Sequence, residues 1–179
     1  NLKNLTIEEI KKYCRKEGLS SYRASQIFSF VHKDKTIDGM TSISKKLREK
    51  LGNDFTVPHL KIKKKLVSAD GTVKFLFLLN DGEKIESVFM RHKDRNTLCV
   101  STQAGCPLGC RFCATGALGF KRNLDVWEIN DQIFKVKSAG YDVNNIVFMG
   151  MGEPLLNFEN LMKAIYILNT PGGINIGIR

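Results

Sequence analysis

The chain has 179 residues, enough for one domain or two small ones, and 42% of them are hydrophobic, enough for a core. Twenty-eight Lys and Arg against 18 Asp and Glu leave a formal charge of +10, which favours a polyanionic partner, RNA or DNA ahead of an anionic membrane. No run of about 18 apolar residues exists to span a membrane and no signal peptide is visible, although the chain opens at Asn1 without a Met; five cysteines, three of them clustered, argue against a secreted disulfide scaffold and for a reducing, cytoplasmic setting.

Residues 1–56 read as a module of three short helices. Thr6 with Glu9 forms a capping box, Ile7, Ile10 and Cys14 share one face, and Gly18 ends the first helix. Ser20 or Ser21 opens the second, where Ala24, Ile27, Phe28 and Val31 recur at helical spacing. The third carries Ile43, Leu47 and Leu51, and Gly52 is expected to stop it. Cys14 reads as a small core residue. Lys11, Lys12, Arg15, Lys16, Arg23, Lys45, Lys46 and Arg48 fall on outward positions. They suit either a module that tracks an RNA backbone or a solvated charged face.

Residues 57–94 change period from 3.6 to 2. Leu60, Ile62, Lys64 and Leu66 alternate with Lys61, Lys63, Lys65 and Val67. Turns at Asp70-Gly71 and Asp81-Gly82 lead into the runs Val73–Leu79 and Ile85–Met90, so the segment reads as a three-stranded antiparallel meander. The lysine row either protects an edge strand from pairing with other chains or contacts RNA.

Residues 95–179 read as βα units. Thr97–Ser101 is a short buried strand followed by a cysteine loop. Asp125 with Glu128 caps a helix whose inward stripe is Val126, Ile129, Ile133 and Val136, and Gly140 closes it. Asn145–Met149 is an apolar strand of the parallel kind, running into Gly150-Met151-Gly152-Glu153-Pro154. Asn157 is expected to cap a helix with Leu161, Ala164, Ile165 and Leu168 inward, and Ile174 to Ile178 to begin a third strand. The expected class is α/β (α+β overall), with a helical module, a meander and the first units of a parallel barrel, whose functional loops follow the strand C-termini. Two units and a third strand cannot close a barrel, so the chain is expected to be part of a longer protein.

Cys106, Cys110 and Cys113 fall within eight residues at C-x3-C-x2-C spacing in a Gly/Pro-rich loop. Thiolates so placed suit a soft metal centre, and three of them leave a position open. A structural zinc would need a fourth ligand, which no second C-x2-C or His pair supplies; His59 and His92 lie outside the loop, and Cys99 sits in a strand seven positions upstream. Spacing therefore favours a three-cysteine Fe–S cluster over zinc.

With Phe112 before the last cysteine, this pattern resembles the radical S-adenosylmethionine (SAM) superfamily. Leu98–Gln103, Cys113–Gly116 and Phe148–Asn157 further resemble the RlmN/Cfr family of RNA methyltransferases, as do the helical module and meander. Cfr-type, carbon-8 enzymes have Ala where Pro154 stands and usually a Cys where Ala104 stands, which places the resemblance on the RlmN side.

The resemblance implies that Cys106, Cys110 and Cys113 bind a [4Fe–4S] cluster and that Gly152 and Glu153 bind SAM. A glycine there lets backbone approach closely, and a carboxylate accepts hydrogen bonds from an ammonium. It also implies Glu86 as proton acceptor and Cys99 as the thiol that resolves a covalent protein–RNA intermediate. The implied reaction uses SAM twice, once to methylate a second cysteine near the C-terminus and once to move that carbon onto carbon 2 of an adenine. The substrates would be 23S ribosomal RNA and tRNA, and the partner an electron donor of the flavodoxin or ferredoxin type. The methyl-carrying cysteine is not among these residues, so the 179-residue chain is expected to be inactive alone. The alternative from another class is a zinc- or cluster-stabilised RNA-binding module without catalysis.

Overall fold

In the computed structural model, which describes residues 1–32, 36–174, 176 and 177, Thr6 opens α1 (Ile7–Lys16) with the expected box. Thr6 N–H donates to Glu9 Oε2 at 2.7 Å and Glu9 N–H to Thr6 Oγ1 at 3.2 Å, satisfying two otherwise orphaned donors. Gly18, at φ +65°, turns the chain out of the helix. Helix α2 (Tyr22–Val31) follows Ser21, whose side chain makes no cap bond. Helix α3 (Lys45–Asp54) is capped by Ser44 and runs through Gly52 to Asp54. Gly52 was expected to stop it, but a glycine costs a helix only about 1 kcal/mol, and burial of Leu47 and Leu51 outweighs that.

The chain divides into two compact units, Asn1–His59 with Lys163–Arg179, and Leu60–Met162. The first buries Ile10, Cys14, Ala24, Ile27, Phe28, Val31, Leu47 and Leu51, as the helical spacing required; Ile43, expected on the third helix, precedes its Ser44 cap and is buried from outside the helix. It also buries Ala164, Ile167 and Leu168 from α6 (Phe158–Asn169), which begins in the second unit and ends in the first. Ile167 takes the inward place expected for Ile165. Both flank the Leu161–Ala164–Leu168 stripe, and tertiary packing chose the flank. Lys163 and Tyr166 bond Glu9 and Glu8 at 2.9 and 2.8 Å.

The second unit is built on a five-stranded sheet of order β1-β2-β3-β4-β7. Strands β1 (Lys61–Val67), β2 (Val73–Leu78) and β3 (Lys84–Arg91) form the expected meander. At its turns Gly71 and Gly82 adopt φ +83° and +89°. β3 pairs antiparallel with β4 (Asn96–Cys99), and β4 pairs parallel with β7 (Asn145–Val147). Meander and βα unit therefore share one mixed sheet, and among the described residues its strands do not close a barrel.

A bulge between Ile62 and Lys64 shifts the β1 register, so Lys61 lies opposite Leu78 and Lys64 opposite Leu76. The simple alternation expected for the lysine row is thus broken, and Lys61, Lys64 and Leu66 end on one face. All seven β1 residues are exposed.

Between β4 and β7 come β5 (Gln103–Gly105), a four-residue helix α4 (Ala114–Ala117), β6 (Phe120–Asn123) and α5 (Val126–Ser138). The β5–β6 hairpin was not expected from the sequence, because its strands are too short to show a period. Helix α5 has the anticipated capping box and closes at Gly140, φ +90°. Its stripe of Val126, Ile129, Ile133 and Val136 is buried, but so are the polar residues between them. Each of three has a partner: Glu128 takes Arg122 through bonds of 2.7 and 2.8 Å, Asp131 accepts from Leu60 N–H at 2.6 Å, and Gln132 binds Ser101 and Ser87. Glu153 rather than Asn157 caps the turn before α6, accepting from Leu155 N–H at 3.1 Å. The expected third strand does not appear at Ile174, Ile176 or Gly177, and Asn175 and Ile178 lie outside the described residues.

Candidate active site

The cysteine loop is the connection of the β5–β6 hairpin. Gly105 ends β5 at φ +73°, and a Cβ there would lie 1.8 Å from the Gly119 carbonyl oxygen. Only glycine lets the two ends of the loop meet, where Cys106 N–H donates to Gly119 O at 3.2 Å. Inside the loop Cys113 N–H donates to Cys110 O at 3.0 Å, and Gly116 packs so closely on Cys110 that a Cβ would approach its backbone to 3.1 Å. The hairpin is fastened to α5 by the Arg122–Glu128 pair.

Cys106, Cys110 and Cys113 are free, partly exposed thiols. Backbone hydrogen bonds from Gly116 and then Thr115 hold the Cys113 thiol below its ordinary value, favouring the thiolate that binds metal. No Asp, Glu or His lies between Cys106 and Gly119, so the loop's charged donors are sulfurs alone. Among the described residues no group of three or more His, Cys, Asp or Glu side chains is gathered tightly enough for a single metal ion. Mononuclear zinc would need sulfurs about 4 Å apart, given Zn–S bonds near 2.3 Å. A cluster binds each cysteine at a separate iron, and an all-sulfur donor set is of the soft kind that such clusters take.

The Gly150–Glu153 turn is held against residues 100–103. Gly150 N–H donates to Val100 O at 3.1 Å, Met151 N–H to Ser101 Oγ at 2.8 Å, and Met151 O accepts from Thr102 and Gln103 N–H at 2.9 and 3.2 Å. Gly152 adopts φ +97°, and a Cβ there would strike Gln103 Cβ at 2.5 Å. Glu153 N–H donates to Gln103 Oε1 at 2.8 Å, while its own carboxylate caps the Pro154–Asn157 turn. Asn157 stitches the turn down, donating to Thr102 O and Leu124 O at 2.8 Å each. Gln103, which grips this turn, stands only three positions before Cys106.

Glu86 and Cys99 lie on one face of the sheet. Cys99 sits directly opposite Val88, and Glu86 is two residues along β3 from Val88. Diagonal neighbours of this kind stand roughly 7–8 Å apart. The opposite face of β3, Ile85, Ser87 and Phe89, is buried, whereas Glu86 is part-exposed and pairs with Lys74 Nζ at 3.1 Å. Burial pushes the half-buried Cys99 thiol up, with a backbone hydrogen bond from Met149 opposing it, so the group holds its proton at neutral pH. Beneath them lies a buried polar hub. Gln132 Oε1 accepts from Ser87 Oγ and Ser101 N–H, its Nε2 donates to Ser101 O, and Ser101 Oγ donates to Glu86 O at 2.6 Å.

Sequence reasoning missed Gln103, Ser101, Gln132 and Lys74. The available signal was the polar run Ser101-Thr102-Gln103 leaving a buried strand, and a glutamine amid the stripe of α5.

The radical SAM superfamily profile matches residues 100–179, a span that holds both the cysteine hairpin and the Gly152–Glu153 turn. The profile described as the ribosomal RNA large subunit methyltransferase N-terminal domain matches residues 1–57. A probable dual-specificity RNA methyltransferase RlmN of Thermotoga neapolitana is 50% identical across 100% of this chain and 53% of its own length. One of Clostridioides difficile is 47% identical across 99% of this chain and 53% of its own. The crystal structure of a radical SAM methyltransferase from Sphaerobacter thermophilus superposes with a TM-score of 0.87 at 39% identity, over 98% of this chain and 54% of that one. Over its whole length the chain is similar to the N-terminal portion of RlmN proteins. It spans about half the length of the curated relatives it matches.

Proposed function

We propose that this chain is the N-terminal portion of a cytoplasmic radical SAM RNA methyltransferase. The reaction is methylation of carbon 2 of adenosine in 23S ribosomal RNA and tRNA through a methyl-cysteine, with electrons from a flavodoxin- or ferredoxin-type donor. The observation that carries this reading is the shared anchorage of the cysteine hairpin and the Gly152–Glu153 turn on residues 101–105. In it Cys106, Cys110 and Cys113 hold a [4Fe–4S] cluster, and Gly152 and Glu153 hold SAM. The cluster and SAM, when bound, supply one-electron chemistry able to functionalise an electron-poor ring carbon.

The chain's own groups handle protons and the thiol. Glu86 accepts a proton at the sheet face, and Lys74 steadies its carboxylate. Cys99 is a thiol that burial keeps protonated; once it has lost that proton it forms an S–S bond with the methyl-carrying cysteine as that cysteine's S–C bond to the transferred carbon breaks, the electron pair leaving with the carbon. Three of the five cysteines thus bind iron and Cys99 resolves. Cys14 is fully buried in the first unit's core, so none remains to carry the methyl group. Residues 1–179 alone should form no 2-methyladenosine by nucleoside mass spectrometry, and product above background would refute this assignment.

Anaerobic reconstitution tests the cofactor. About four irons and four sulfides per chain, with an absorbance band near 400 nm, are expected, and Cys110→Ala should lose both. One tightly bound zinc with no iron uptake would favour the non-catalytic RNA-binding alternative.

A further inference from the structure

The Gly152–Glu153 turn is gripped by a pair of side-chain amides that no role assigned so far includes. Gln103 is 1% exposed and its Oε1 accepts from Glu153 N–H at 2.8 Å. Its Nε2 donates to Asn123 Oδ1 at 2.8 Å, and Asn123 Nδ2 donates to Leu156 O at 3.3 Å. The orientation of both amides is forced. Glu153 N–H can only donate and Leu156 O can only accept, so a flip of either amide would set donor against donor or acceptor against acceptor.

The two residues pair across the β5–β6 hairpin, with Gln103 opposite Asn123. The hairpin that carries the cysteine loop therefore also clamps both ends of the turn after Gly152. At the Gln103 end the fit is steric as well, since any side chain at Gly152 would collide with Gln103 Cβ.

We propose that Gln103 and Asn123 form a positioning clamp that sets the Glu153 turn relative to the cysteine loop, so that a ligand spanning the two is bound by a preformed site. This rests on the reading of Gly152 and Glu153 as SAM-binding. The clamp touches no reacting atom; it acts through the Glu153 backbone. Pre-organisation of this kind appears as ligand affinity, because a turn that must be ordered on binding costs free energy at that moment. A methionine at Gln103 keeps the bulk beside Gly152 but leaves Glu153 N–H without its acceptor, and a lost buried bond of this class is worth about a tenfold to hundredfold change in an equilibrium constant.

The test uses the full-length, reconstituted protein and its variants Gln103→Met, Asn123→Leu and the double variant. The measurements are iron content, the SAM dissociation constant by equilibrium binding, and amide exchange of the peptide containing Glu153 in cofactor-free protein. Gln103→Met should keep its iron, bind SAM about 10- to 100-fold more weakly and lose protection at Glu153. Asn123→Leu, at an exposed position and therefore tolerant, should weaken SAM binding in the same direction. The double variant should be no worse than Gln103→Met, because the two amides act as one chain.

A Gln103→Met protein that binds SAM within twofold of the parent overturns the clamp. Loss of iron in step with SAM across the variants also overturns it, since the amides would then only hold the hairpin together. Should Gln103→Met fail to fold, unchanged SAM affinity in Asn123→Leu is the refuting result and a weakened one the supporting result. A parent protein that takes up iron but binds no SAM overturns the reading of the turn itself, and this inference with it.

Discussion

Replacing Gln132 by methionine isolates the polar hub under the sheet. The side chain keeps its volume but loses four hydrogen bonds, to Ser87 Oγ, Ser101 N–H, Ser101 O and Glu128 O. The Ser87 hydroxyl can rotate and Glu128 O belongs to a helix, so the main cost falls on the Ser101 backbone, which is fully buried. Two buried backbone groups left without partners cost roughly 1–3 kcal/mol each, about 4 kcal/mol together. With a urea m-value of about 2 kcal/mol/M, the midpoint should fall by about 2 M. Trp127, the only tryptophan, lies buried on α5 little more than one turn from Gln132, so its fluorescence reports this unit specifically. Ser101 Oγ also holds Glu86 O and Met151 N–H, so protection of the Met151 amide should fall in the same variant. A midpoint shift under about 0.5 M at constant m would refute the reasoning, by showing that the Ser101 groups find other partners.

Gly105→Ala should destabilise the hairpin by at least about 3 kcal/mol and abolish iron retention, because its Cβ meets backbone, whereas Gly109→Ala, with open space around it, should cost about 1 kcal/mol; equal iron content in the two would contradict this. His32 is buried and desolvation lowers its pKa from 6.5 to about 4, so the folded unit keeps it neutral while the unfolded chain protonates it. Stability of the first unit should therefore fall as pH drops below 6.5 and level off near pH 4, a loss of about 3 kcal/mol; circular-dichroism titrations in urea should show this slope, and His32→Leu should remove it. Lys61 and Lys64 share a face of the exposed edge strand, and if both meet phosphates, Gln at each should reduce the log–log salt slope of RNA affinity by about 1.4 in total. An unchanged slope would assign the lysine row to edge protection.

The catalytic resemblance and the local chemistry were legible without coordinates. Capping boxes at Thr6 and Asp125, turns at Asp70-Gly71 and Asp81-Gly82, and the stripes of α2 and α5 all depend on interactions within a few residues, and all appear where the spacing put them. The cysteine spacing and the Gly-Glu turn are local in the same sense. Packing between distant segments decided the rest. Whether Ile165 or Ile167 turned inward, whether Gly52 ended α3, and where β1 slipped its register each depended on neighbours far along the chain.

The largest difference lies at the site. Local sequence marks Gln103 and Gln132 only as polar residues beside buried runs; their roles come from the partners that reach them across 50 and 31 positions. Glu86 and Cys99 came to share a face only through the β3–β4 register. Residue type and spacing state which groups can do chemistry; the pairing of strands, which is non-local and set by burial of one face, states which of them meet.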